Sequence, residues 1–236
     1  MGEEFEDRDL SDSVFWGVNL ERTTFRDAVF NGSTFFHTEW RDAAIDGIVE
    51  RLVVNGVDVT DFVNRHDRWY PLRERLSPAS VVEMRATWSA ICAEWDKVEA
   101  ALDGQPHERR LASVNGEWSL CDTYRHLLFA MDKWFSWPIL GERTFNSMGL
   151  PNTGSQGLDW PGIDRSAYPE FDAVFAARQA HTARFTQYLG GLRLEDLPES
   201  VEIIENGDVP SVMCFHVVFE EEFEHLRYMV RDLGLG

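Results

Sequence analysis

Cysteine is scarce in this chain: three residues in 236, Cys92, Cys121 and Cys214. An odd, widely spaced set without a Cys-x-x-Cys pair excludes a disulfide scaffold and offers no thiolate zinc or redox motif, so a reducing compartment is expected. Lysine is scarcer still, Lys97 and Lys133 standing alone beside the arginines. Basic residues of both kinds number 22 against 41 acidic ones, leaving a formal charge of −19. So acidic a surface excludes direct binding to phosphate backbones. Also missing are a basic, apolar leader at the N-terminus and any run of eighteen apolar residues, so a cytoplasmic protein without a membrane span is expected. With 44% apolar residues over this length, disorder is excluded as well, and one or two packed domains fit.

What is present begins with a period of five. Phe5, Leu10, Phe15, Leu20, Phe25, Phe30, Phe35, Trp40 and Ile45 form an unbroken series of large apolar residues. Two positions before most of them stands a small or short residue: Ser13, Val18, Thr23, Ala28, Ser33, Thr38 and Ala43. Neither a helix nor an ordinary strand repeats its faces every five residues. A four-faced solenoid does, with large residues on its axis, small ones at its corners, and polar ones such as Glu21, Arg22, Arg26 and Asp27 in solvent. The frame slips after Ile45 and resumes weakly at Leu52, Val57 and Phe62. This region resembles the pentapeptide-repeat family over residues 10 to 62, which implies a short right-handed β-solenoid. Residues 1–64 carry fourteen acidic residues and five arginines, a net of −9. Some members of that family are acidic rods that imitate DNA and bind topoisomerases; the alternative is a short structural solenoid with a solvated acidic surface.

Residues 65–77, with Pro71 and Pro78 around a charged segment, read as a linker. Beyond it, helical periodicity takes over. Ser77-Pro78 predicts a helix start, followed by Val81, Met84, Trp88, Ile91, Trp95, Val98 and Leu102 on one face. Ser119-x-x-Asp122 predicts the start of a second helix reaching Trp137-Pro138. Residues 138–167 read as a long loop of the kind that often carries function. A third helix is predicted from about Tyr168 or Glu170 to Leu189, ended by Gly190-Gly191, and a fourth from Pro210 to Leu233. Between them, Val201–Ile204 reads as extended, with a turn at Asn206-Gly207-Asp208. The expected architecture is α+β: a β-solenoid over 1–64 followed by a four-helix bundle over 78–236.

On the fourth predicted helix, Glu221 and His225 lie four residues apart and share a face. With His126 from the second helix they supply two nitrogens and one carboxylate oxygen, a set that suits zinc or another first-row metal and leaves open positions. Glu222, at i,i+3 to His225, is an alternative ligand; His216 lies about half a turn away around the helix. The alternative is a solvated acidic face with a packing histidine.

The segment Gly116-Glu117-Trp118-Ser119 to His126-Leu127, with Asp132 and Trp134 after it, resembles the Trp-Ser…His-Leu signature of the DinB-like superfamily. Glu220-Glu221-Glu222-Phe223-Glu224-His225-Leu226 resembles its last-helix motif. Many members carry His where this chain has Glu221, and that departure resembles the branch of mycothiol-dependent maleylpyruvate isomerase, whose zinc is held by His, Glu and His. The resemblance implies His126, Glu221 and His225 as ligands of zinc, or of nickel or another divalent ion. It further implies a thiol S-transferase or isomerase using mycothiol or bacillithiol and an electrophilic second substrate, with homodimerisation common among such bundles. Around the ligands, Asp122 could orient His126 or cap its helix, and Trp118 and Tyr228 could wall a pocket. Arg125 could meet an anion, His181 reads as a packing residue, and Glu222 is the only general base to name. A non-enzymatic protein that binds a partner such as a topoisomerase through its solenoid is the competing reading.

Overall fold

The computed structural model describes residues 3–5, 8–25, 28–114, 116–155 and 157–235. It divides into two units, Met1–Ile48 and Val49–Gly236.

In the first unit the five-residue period is written into the backbone. Left-handed φ values recur at Asp12, Gly17, Arg22, Gly32, His37 and Asp42. Turns close from Ser13 N to Leu10 O, Thr23 N to Leu20 O and Ser33 N to Phe30 O at 3.0–3.2 Å. No strand is assigned among its described residues. The large residues, expected on a buried axis, are exposed by 45% at Phe30 to 68% at Ile45. What they contact is each other: ring centroids lie 5.2 Å apart for Phe25 and Phe30, 6.1 Å for Phe30 and Phe35, and 5.5 Å for Phe35 and Trp40. An array this short has no further turns stacked on it to cover those rings. Glu21 and Arg22 are solvent-exposed as expected; Arg26 and Asp27 lie outside the described residues.

The second unit starts before the expected boundary. Strands β1 (Val53–Val54) and β2 (Val57–Asp58) form a hairpin. Asn55 and Gly56 both have positive φ at its tip, the conformation that a two-residue Asn-Gly turn demands. Helix α1 (Thr60–His66) follows, so Leu52, Val57 and Phe62 belong to a hairpin and a helix and do not continue the repeat. The segment 65–77, expected as a linker, is folded: helix α2 (Tyr70–Arg73) is flanked by Trp69, whose ring meets that of Phe223 edge-on at 5.9 Å, and by Leu76, which is buried in the core. The apolar content of this stretch outweighs Pro71, which sits in the first turn of α2, where no N–H is needed.

Four long helices make the bundle. Helix α3 (Val81–Leu102) is capped by Ser80 and Glu83 in a reciprocal box, three residues past the expected Ser77. Met84, Trp88, Ile91, Trp95, Val98 and Leu102 form its buried stripe. Helix α4 (Leu120–Met131) starts at the predicted Ser119 cap and passes into one π turn, Asp132–Ser136, all five residues of which are buried. Helix α5 (Phe171–Gly191) retains Gly190 and Gly191 in its last turn. Strands β3 (Ser200–Ile203) and β4 (Gly207–Pro210) pair antiparallel, Ser200 opposite Pro210 and Ile203 opposite Gly207, and lead into α6 (Ser211–Asp232). Helices α3 and α4 each pack against both α5 and α6. Trp88, Phe185, Phe215 and Phe219 interlock at the centre, the rings of Trp88 and Phe185 edge-on at 4.7 Å. Each such fully buried ring stabilises the fold by about 1.5–3 kcal/mol. Among the described residues no helix is long and apolar enough to cross a membrane.

The loop from the π turn to α5 packs a small second core onto α4, Phe145 and Trp160 closing on Phe129 of that helix. Gly162 (φ +98°) lets two segments of the loop touch: a Cβ there would stand 2.5 Å from Thr144 Cγ2 and 2.6 Å from Phe145 O. Phe145 N donates to Pro161 O at 2.8 Å across the same contact.

Candidate metal centre

Capping by Ser119 fixes where α4 begins and therefore which face His126 occupies two turns on. On α6 the apolar stripe Phe215, Phe219, Phe223 and Leu226 faces the core. Glu221 and His225 thereby flank α4. The three side chains meet: His126 Nε2 lies 3.2 Å and His225 Nε2 3.5 Å from Glu221 Oε2. One ligand atom of each lies within 4.8 Å of the others. Tetrahedral zinc with bonds of about 2.0–2.1 Å separates its ligand atoms by about 3.3–3.4 Å, which both distances to Glu221 match.

The tautomer of His126 follows from its other nitrogen. Nδ1 stands 3.0 Å from the Leu150 carbonyl oxygen, which can only accept, so Nδ1 carries a proton and Nε2 is the nitrogen turned toward Glu221. A lone pair facing a carboxylate oxygen is repulsive unless a cation, a proton or a metal ion, sits between them. Burial pushes the Glu221 carboxyl up, but the hydrogen bonds and charges of His126 and His225 outweigh it and hold the group well below the usual carboxylate range.

The surroundings sort the remaining expectations. The Trp118 ring lies parallel to His225 at 5.8 Å and tilted over His126 at 4.8 Å, forming one wall. Tyr228 meets His225 edge-on at 6.1 Å. Asp122 accepts from Ser119 Oγ at 2.7 Å and pairs with Arg125 at 3.4 Å; the group that orients His126 is the Leu150 carbonyl. Arg125 is bonded to loop carbonyls and does not stand open to an anion. Glu222, expected as a general base, is a correction: it is 1% exposed and ion-paired with Arg178 of α5 in the bundle interior. One residue along an α-helix is a rotation of about 100°, enough to carry it off the Glu221 face. Burial pushes its carboxyl up, and Arg178 opposes that.

His181 sits away from the triad, its Nε2 3.7 Å from Asp132 Oδ1 in the π turn. A cleft of about 470 Å³ lined by Phe135, Arg184, Tyr188 and Arg193 shares no residue with the triad. Both its arginines are ion-paired, with Glu142 and Glu195. Sequence reasoning missed the Leu150 carbonyl because every residue carries one. The signal available was the length of the loop between the second and third predicted helices.

Comparison with protein families finds a model described as the DinB superfamily matching residues 60–229. Comparison with curated proteins and with solved structures finds no match.

Proposed function

The chain belongs to the DinB superfamily, and from that premise we propose that its bundle is a metal-dependent thiol enzyme: His126, Glu221 and His225 hold one divalent ion, zinc by preference, for S-transfer or isomerisation with a low-molecular-weight thiol of the mycothiol type. The observation that carries this is the convergence of two imidazole nitrogens and one carboxylate oxygen, with the His126 tautomer fixed so that its lone pair points inward. Three protein ligands leave a coordination position open, the pattern of catalytic sites. The chemistry a bound ion supplies there is a lowered thiol pKa, and with it a nucleophile at neutral pH. The chain's own side chains do the rest. Glu221 balances charge, Trp118 excludes water from one side of His225, and Leu150 O keeps the proton on His126 Nδ1.

The first experiment is elemental analysis of purified, untagged protein beside His126→Ala and His225→Ala. About one zinc per parent chain and none in either variant is expected, and stoichiometric metal in both variants would overturn the site. Thiol-transfer assays with mycothiol then test the reaction class.

A second reading rests on the first unit. Its aromatic ladder from Phe25 to Trp40 is half exposed in a segment of strong negative charge, which supports a protein-binding role with a topoisomerase as the partner to try. Inhibition of supercoiling by the full chain, lost in Phe30→Ser/Phe35→Ser, is the expected result; equal activity of parent and variant refutes it.

A further inference from the structure

Leu150 is held from two sides by adjacent residues of α4. Its N–H donates to Arg125 O at 3.0 Å, and its carbonyl accepts from His126 Nδ1 at 3.0 Å. The Arg125 side chain reaches into the same loop. Nε donates to Met148 O at 3.0 Å, one terminal nitrogen to Ala167 O at 3.3 Å, and the other to Asp122 Oδ1 at 3.4 Å. One guanidinium thus ties two points of the loop, Met148 just before Leu150 and Ala167 near its far end, to the turn of α4 that carries His126. The planar fork of arginine is suited to this, because it offers several donors in fixed directions, whereas an ammonium is a single point. The side chain is only 11% exposed, so its donors are spent inside the protein.

We infer that Arg125 is a positioning residue for the ligand His126: it holds the loop so that the Leu150 carbonyl fixes the proton on Nδ1 and leaves Nε2 free to bind an ion. The inference rests on the metal-site reading above, and it predicts that a residue touching neither ion nor substrate governs metal affinity. Groups that orient a metal-bound histidine are typically worth 10–100-fold in affinity.

Two measurements on the full chain test it. In ¹⁵N-edited spectra of the metal-free protein, the His126 Nδ1 proton is expected to exchange slowly in the parent and at least tenfold faster in Arg125→Ala. In competition titrations against a chromophoric chelator, zinc affinity is expected to fall about 10–100-fold in Arg125→Ala and by an intermediate factor in Arg125→Lys, which keeps one donor. An Arg125→Ala protein with parental circular dichroism, zinc affinity within twofold and a protected Nδ1 proton would overturn the inference. If that variant does not fold, Arg125→Lys decides, and parental affinity there is the overturning result. Because the proton is read without metal, a parent that binds no zinc sinks the functional reading while the exchange rate still decides this one.

Discussion

Replacing Arg178 with Met should cost a large part of the stability of the bundle, and the size follows from the burial of its partner. Arg178 is 5% and Glu222 1% exposed, and the guanidinium that faces the carboxylate also donates to Thr182 Oγ1 at 2.7 Å. Without it, the carboxylate is left in the core with no counter-charge, a loss of about 3–5 kcal/mol in comparable buried pairs. Protonation sets a ceiling on the ionic part. A glutamate that must take up a proton to stay buried at pH 7 is penalised by about 1.36 kcal/mol per unit above its ordinary pKa of about 4.3, or about 3.7 kcal/mol. At pH 5 the same penalty is about 1 kcal/mol. The sign is that of a carboxyl raised on folding: stability is present below the unfolded pKa and is lost as pH rises. Against a total of about 5–15 kcal/mol, the pH 7 loss is large. The assay is urea denaturation followed by far-UV circular dichroism, with chelator present so that metal linkage does not contribute. Arg178→Met/Glu222→Leu, which removes both charges, should return to within about 1 kcal/mol of the parent or exceed it. A single variant that loses less than about 1 kcal/mol at pH 7, or a double variant as unstable as the single, would refute the reasoning.

Two further outcomes follow from the same structure. Burial pushes the thiols of Cys92, Cys121 and Cys214 up to about 12, 11 and 12. At pH 8 the most acidic of them is thiolate in about one molecule per thousand, so a disulfide reagent should titrate all three only after denaturation; rapid native labelling at pH 8 would contradict this. Gly162→Ala forces a Cβ against Thr144 and Phe145 at a φ that L side chains rarely adopt. A loss of about 1–3 kcal/mol is expected, with faster amide exchange confined to the loop core around Phe145 and Trp160; unchanged exchange there would show that the close contact does not exist in solution.

The bundle was legible because its helices advertise themselves. The Ser119 cap, the three- and four-residue spacing from Met84 to Leu102, and the Glu221/His225 pair are local patterns with one geometric meaning each. The His126 partnership was legible as a donor set that suits a metal, but no spacing rule joins residues 95 positions apart, and the resemblance carried most of its weight. What escaped were features decided by tertiary packing. Segment 65–77 reads as polar and proline-broken, yet Trp69 and Leu76 anchor it to the core. Glu222 looks like any member of an acidic run until Arg178 arrives from another helix. The π turn at Asp132–Ser136 has no sequence mark, because one residue inserted into a helix leaves composition unchanged. The repeat of the first unit was legible as a period in both sequence and backbone, while the burial of its large residues was overestimated.

The packing of α3 against α6 has a consequence for how the protein is made. His216 on the last helix bonds the Pro78 carbonyl just before α3, across 138 residues, and Arg109 donates to the Leu233 carbonyl at the other end of α6. Until α6 has left the ribosome, α3 and α4 can pack only against α5, so the nascent chain carries an open aromatic face up to that point. Emergence of α6 completes the core and, in the same event, brings Glu221 and His225 to His126. A chain truncated within α6 ahead of Glu221 lacks both the closing face of the bundle and two of the three triad residues, a sticky remnant destined for chaperones and proteases.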